Sequence, residues 1–133
     1  MKLVYTAFSK HMFYQRDIIS KFVLENDCVP LNPFKNWDYF LADTVDRDLV
    51  RNANNRLVEI ADEVWQFGEI SNGCWFEIKN AIDADKKVRY FKLGKTVQDI
   101  AEIKVGDVIF EVELANEINE EEMRKIIETK EKK

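Results

Sequence analysis

At 133 residues the chain has room for one domain with a substantial core. Its 46% hydrophobic and 34% charged residues make an ordinary globular balance, while a net charge of −5 argues against a general nucleic-acid binder, which carries a basic patch. No apolar run approaches the ~20 residues that a membrane span needs.

The run KLVYTAF (2–8) is β-prone and reads as a first strand rather than a leader, since no cleavage-site pattern accompanies it. FSKHM interrupts it, and from residue 12 to 26 Ile18, Ile19, Phe22 and Val23 recur at helical spacing. CVPLNPF (28–34) predicts a short extended segment, because Pro30 and Pro33 cannot continue a helix. Residues 36–44 are aromatic-rich and predict a short helix or loop. VDRDLVRNANNRLVEIA (45–61) predicts a charged helix with Leu49, Leu57 and Ile60 facing inward. DEVWQF (62–67) predicts a buried strand and GEISN (68–72) the loop after it. A helix follows over 73–84, with Ile78, Ala81 and Ile82 on one face, and then a strand, KKVRYFKL (86–93).

This β-α-β-α-β-α-β order predicts a single α/β domain over 1–133. Its sheet is doubly wound, flavodoxin- or Rossmann-like, with four to five mostly parallel strands and helices on both faces. Residues 94–133 read as a C-terminal strand and helix extension. DVIFEVEL (107–114) alternates as a strand does, and INEEEMRKIIETKEKK carries helix-start signals. Asn119 and Glu122 have capping-box spacing, Ile118 and Met123 can staple around it, and acidic first and basic last turns suit the helix dipole.

Cys28 and Cys74 lie far apart and nothing points to secretion, so free buried thiols in a reducing cytoplasm are expected. A lone histidine, His11, and the lack of a clustered Cys/His pattern argue against a zinc site, and no metal or cofactor is expected. His11 is expected near the surface at a helix start, a poor position for a hydrolase base.

Glu77 is the acidic residue that asks for an explanation. In an open parallel α/β sheet, ligands bind where the strands' carboxyl ends meet the following helix N-termini. Ser71, Asn72 and Gly73 occupy such a loop, and their hydroxyl and backbone N–H groups suit an anion such as phosphate. Glu77 stands about one turn into the next helix, and its side chain tilts back toward the helix start. One reading makes it a catalytic carboxylate in the cleft, and the other a dipole-complementing residue on a solvated face. Its neighbours Trp75, Phe76 and Ile78 weigh against the solvated face, and periodicity leaves the two readings level.

VYTAFS in the first strand, ANNRLVEIADEVWQF leading into the third, and SNGCWFEIKNAIDADKKVRYF after it resemble the nucleoside 2-deoxyribosyltransferase-like family. That family includes the deoxyribosyltransferases and the 2′-deoxynucleoside 5′-phosphate N-hydrolases. The resemblance spans about residues 2–93 and implies an N-glycosidase that hydrolyses or transfers at the deoxyribose–base bond. It implies Glu77 as the nucleophile, Tyr5 as the residue that positions it, and Ser71 and Ser9, with the backbone at Asn72 and Gly73, as phosphate contacts. Asp62, which opens the third strand, is implied to be structural. Asn54 stands where the family has a catalytic aspartate, with Asn55 beside it. Lys79 replaces a glycine, and the first loop lacks the family's glycines.

On this reading Asn54 or Asn55 contacts the base or sugar hydroxyls. Trp75, Trp65 and Phe8 are candidate stacking surfaces or else core, and Arg16 is either an added positive charge or an exposed helix arginine. The resemblance also implies a nucleoside or nucleotide ligand, no nucleic-acid polymer, and a homodimer or higher homo-oligomer, with 107–114 and the last helix available as an interface. Two alternatives stay open: a non-catalytic nucleotide-binding module, favoured by Asn54, and an oligomeric interaction protein.

Overall fold

The computed structural model describes residues 1–38 and 43–132. The strands β1 (Lys2–Phe8), β2 (Cys28–Leu31), β3 (Glu63–Phe67), β4 (Lys87–Lys92) and β5 (Ala101–Glu102) form one sheet in the order β2-β1-β3-β4-β5. The first four are parallel; β5 is a two-residue edge strand antiparallel to β4, pairing Lys92 with Ala101 and Phe91 with Glu102. Pro30 is tolerated because β2 is an edge strand, where a missing N–H breaks no ladder on the open side.

The central strands β1, β3 and β4 are largely buried on both faces, and alternation divides their side chains between two layers. Tyr5, Ala7, Val64, Val88 and Tyr90 face one layer, and Val4, Phe8, Trp65, Phe67 and Phe91 the other. Ile19 and Val23 of α1 (Arg16–Glu25) cover the second layer, where Phe22 meets Trp65, Phe67 and Phe91 edge-on. The first layer is covered by α3 (Arg47–Ile60) and α4 (Asn72–Asp83), through Val58, Cys74, Trp75, Ile78 and Ala81. A 3₁₀ turn at Lys10–Gln15 precedes α1. Asn32 caps the one-turn helix α2 (Pro33–Asn36), accepting from Phe34 N at 3.1 Å, with Pro33 pre-set at its first position.

The C-terminal extension belongs to the same core. Val108, Phe110, Leu114, Met123 and Ile127 are buried against the first layer, and burying one such side chain stabilises by roughly 1.5–3 kcal/mol. Asn119 caps α6 (Glu120–Glu131), accepting from Glu122 N at 3.1 Å, and Met123 and Ile118 pack inward beside it.

The expected strand over 107–114 is a correction. Only one parallel bridge forms, between Ile70 and Phe110, and Val112–Glu117 is the short helix α5. Val108 and Phe110 alternate inward, but Phe110 and Leu114 are also four residues apart, and the helix formers after Glu111 settle the conformation as helical. The inward face of α3 also differs from expectation. Val58 is buried and Leu57 packs beside it, whereas Leu49 and Ile60 are exposed. The inward stripe runs through the half-buried Val50, Asn54 and Leu57 and the buried Val58, a three-four spacing that Leu49 and Ile60 fall outside. Of the helix or loop expected over 36–44, residues 39–42 lie outside the described residues.

Candidate active site

At the carboxyl ends of β1 and β3 lies a cleft of about 390 Å³. The ends of β1 and α2 form one wall, α3 a second, the start of α4 a third, and Glu111 and Glu113 a fourth. Glu77 opens onto it and Tyr5 lies beneath, fully buried, with its hydroxyl donating to the Glu77 carboxylate. The two residues are 72 positions apart, so β1 and α4 must pack correctly for this bond to form.

Burial pushes the Glu77 carboxyl from 4.5 up to about 7, and the Tyr5 hydrogen bond opposes part of that rise. Tyr5 is held protonated, first by burial and then by the Glu77 charge. Tyr5 therefore acts as a fixed donor, and Glu77 is a carboxylate that exchanges its proton near neutrality. Cys74, one turn earlier in α4, is pushed to about 12 by burial and is a neutral thiol.

Ser9 and Ser71 both cap helical turns at the cleft. Ser9 Oγ accepts from His11 N, and Ser71 Oγ accepts from Cys74 N, each at 3.3 Å. Capping occupies oxygen lone pairs and leaves each hydroxyl hydrogen available to donate. Asn72 and Gly73 form the first turn of α4, where backbone N–H groups lack intrahelical partners. A Cβ on Gly73 would meet no atom within 4 Å, so the glycine leaves space on the cleft side.

Asn54 lines the opposite wall, and its Oδ1 accepts from Trp37 Nε1 at 2.8 Å. This bond fixes the amide and leaves its N–H donors unengaged among the described residues. Asn55 accepts from Asn80 Nδ2 at 2.9 Å, tying α3 to α4, and borders an adjoining part of the cleft of about 240 Å³. Sequence reading missed three cations here: Lys10, Arg47 and Arg51 line both parts. None has an ion-pair partner among the described residues, and Arg51 sits 5.3 Å from the Phe76 ring centroid. Arg47 and Arg51 fall one turn apart on the face that presents Asn54, the one signal that could have flagged them.

Other candidates sit elsewhere. Trp75 is a core residue, buried edge-on against Phe110, and does not line the cleft. Trp65 packs on Phe91 in the second layer, while Phe8 is buried but reaches the cleft wall. Arg16 stacks 4.1 Å over Phe13, away from the cleft. Asp62 accepts from Leu3 N at 2.7 Å, pinning β1 beside the start of β3. A wider, open depression of about 710 Å³ lies at the strands' amino ends, but its Lys2, Glu63 and Arg89 are already engaged in ion pairs. No helix among the described residues is long and apolar enough to cross a membrane.

A doubly wound α/β domain with its cleft at the carboxyl ends of the parallel strands defines the class. The chain belongs to the family described as Domain of unknown function (DUF7768), whose model matches residues 6–91. Among solved structures, a 2-desoxiribosyltransferase from Leishmania mexicana is similar, with a TM-score of 0.54 and 17% identity over 88% of this chain and 95% of that one. At that identity the likeness is one of fold. Comparison with curated proteins gives no match.

Proposed function

We propose that the protein is an N-glycosidase acting on nucleosides or nucleoside 5′-monophosphates, with Glu77 as nucleophile. The observation that carries this reading is the Tyr5 hydroxyl donating to a cleft carboxylate whose proton is exchanged near pH 7. The fold shared with the Leishmania 2-desoxiribosyltransferase supports it.

In this mechanism an ionised Glu77 oxygen attacks C1′ of the sugar as the C1′–N bond breaks, giving a glycosyl ester. The base leaves with the bonding electron pair and takes a proton from solvent, while the Asn54 amide donates a hydrogen bond to it. Water, or a second base, then attacks C1′ as the C1′–O bond of the ester breaks, gives its proton to solvent and returns Glu77 as a carboxylate. Tyr5 keeps the attacking carboxylate in one orientation throughout. Ser9, Ser71 and the first-turn N–H groups of α4 receive the 5′ phosphate, with Lys10, Arg47 and Arg51 adding positive charge. Asn55 orients α3, and Trp75 supports α4 from the core rather than stacking on substrate. A second copy would pack against the exposed Ile109 and Val112, making a homo-oligomer.

Asn54 also favours a second reading, a non-catalytic nucleotide-binding module. An amide donates hydrogen bonds but transfers no proton to a leaving base. Incubation with the four common deoxynucleosides and their 5′-monophosphates, followed by chromatography for free base, separates the two. The glycosidase reading expects base release by wild type and none by Glu77→Gln, since an amide forms no glycosyl ester. Equal turnover by both proteins rejects Glu77 as nucleophile.

A further inference from the structure

The protein's single histidine meets two carboxylates that follow it by a hundred residues. His11, Glu111 and Glu113 each bring a ligand atom to the same corner of the cleft, all within 4.8 Å of one another. Both mounts are fixed by backbone bonds. Ser9 caps the turn that carries His11, and Met12 N donates to Ser9 O at 2.8 Å. On the other side Ile70 N donates to Ile109 O and Glu111 N to Ile70 O, both at 2.9 Å, so residues 109–111 lie against the loop that follows β3. Glu111 then opens α5, and Glu113 stands in its first turn.

These side chains converge without satisfying one another. No histidine–carboxylate ion pair forms among them, and among the described residues none of the three side chains has another ion-pair or hydrogen-bonding side-chain partner. Two carboxylates and an imidazole are thus gathered together, and among the described residues no Lys or Arg forms an ion pair with them. We propose that His11, Glu111 and Glu113 form a binding site for one divalent transition-metal ion at the rim of the cleft.

An imidazole with two carboxylates is a borderline N,O ligand set, suited to Zn²⁺, Co²⁺ or Mn²⁺ better than to Mg²⁺ or Ca²⁺. An ion ~2.1 Å from each ligand atom brings those atoms to roughly 3–4 Å apart, so side-chain ends that move by about 1 Å close the site. His11 and Glu113 are exposed and have that freedom. His11 and Glu111 also border an adjoining apolar cavity of about 740 Å³, so the ion stands in the wall between the two cavities. Water fills the remaining coordination positions, leaving them open to an anionic ligand. The proposal does not depend on the glycosidase reading, because metal binding is measured without substrate.

The test is titration of the metal-free protein with Co²⁺, followed by visible absorption, with calorimetry for Zn²⁺ and Mg²⁺. Wild type should bind one Co²⁺ per chain with the spectrum of a nitrogen–oxygen site and no sulfur charge-transfer band. Mg²⁺ should bind more weakly. His11→Ala, Glu111→Gln and Glu113→Gln should each weaken Co²⁺ by about tenfold or more, with unchanged circular dichroism showing that each variant folds. Co²⁺ that fails to bind wild type, binds through thiolates, or binds all three variants as tightly as wild type overturns the site.

Discussion

Tyr5 and Glu77, from the first strand and the fourth helix, are joined by one hydrogen bond at the floor of the cleft. The donor is held protonated and the acceptor is raised to about 7, so the bond is strongest when Glu77 is ionised, the state a nucleophile needs. Base release should therefore rise with pH through about 7. Tyr5→Phe removes the interaction that lowers the Glu77 pKa, so its profile should move to higher pH. A hydrogen bond to a charged group is worth ~1.5–3 kcal/mol, so the plateau rate should fall about tenfold or more. The same pair contributes to the pH dependence of stability. The folded carboxyl keeps its proton up to about 7 and the unfolded one loses it near 4.5. The folded state therefore binds more protons in that window, and stability falls as pH rises through it. At ~1.36 kcal/mol per pH unit the loss reaches roughly 3 kcal/mol at most. Glu77→Gln escapes it, and its melting temperature should exceed wild type at pH 8 while matching it near pH 4.5. A gap of the same size at both pH values contradicts the buried ionisation.

The proposed phosphate subsite gives a second expectation. Ser71 caps α4 and still has a hydroxyl hydrogen to donate, and Lys10, Arg47 and Arg51 line the same cleft without ion pairs. A deoxynucleoside 5′-monophosphate should bind about tenfold or more tightly than its nucleoside, since charge-assisted hydrogen bonds exceed neutral ones. Rising salt should narrow the difference. Ser71→Asp retains a good N-cap, so the helix stays in place while its charge repels phosphate. Calorimetry should then find the preference lost or reversed. Equal affinity of wild type for both ligands argues for a nucleoside substrate and against a phosphate site.

Sequence made legible what depends on short-range pattern. The four parallel strands and the cap at Asn119 follow from runs of a few residues each, and the Tyr5–Glu77 contact from what the family resemblance implies, whereas sequence reading missed the Ser71 cap. Residues 107–114 misled because Val108 and Phe110 do alternate inward, with Phe110 bridging to Ile70 as in a strand, while the helix formers after Glu111 turn the rest of the run into α5. Strand β5, at two residues, is too short to carry a period. Trp75 sits next to cleft residues in sequence but a hundred degrees around the helix from them, which turns it into the core against Phe110. The Trp37 bond to Asn54 and the meeting of His11 with Glu111 and Glu113 join segments through the fold alone, so no local spacing announces them.

Asn54 decides between catalysis and binding, and its environment makes the deciding experiment clean. Trp37 Nε1 donates to its Oδ1 at 2.8 Å, and Asn54→Asp keeps an oxygen in that place, so the wall of the cleft is preserved. The new side chain can carry a proton to the departing base, and general acid assistance contributes about 10²–10⁴-fold. If wild type turns over with solvent protonating the base, Asn54→Asp should raise the rate, most clearly for the poorest leaving bases, because they gain most from protonation. If wild type binds nucleotide without turnover and Asn54→Asp creates it, the scaffold is a binding module with the nucleophile still in place. Asn54→Leu is the control. It leaves the Trp37 indole N–H without its partner and supplies no acid, so it should cost stability and gain no activity. Should Asn54→Asp and Asn54→Leu lower base release equally, the amide itself is the working group at this position, and the acid that protonates the base is solvent.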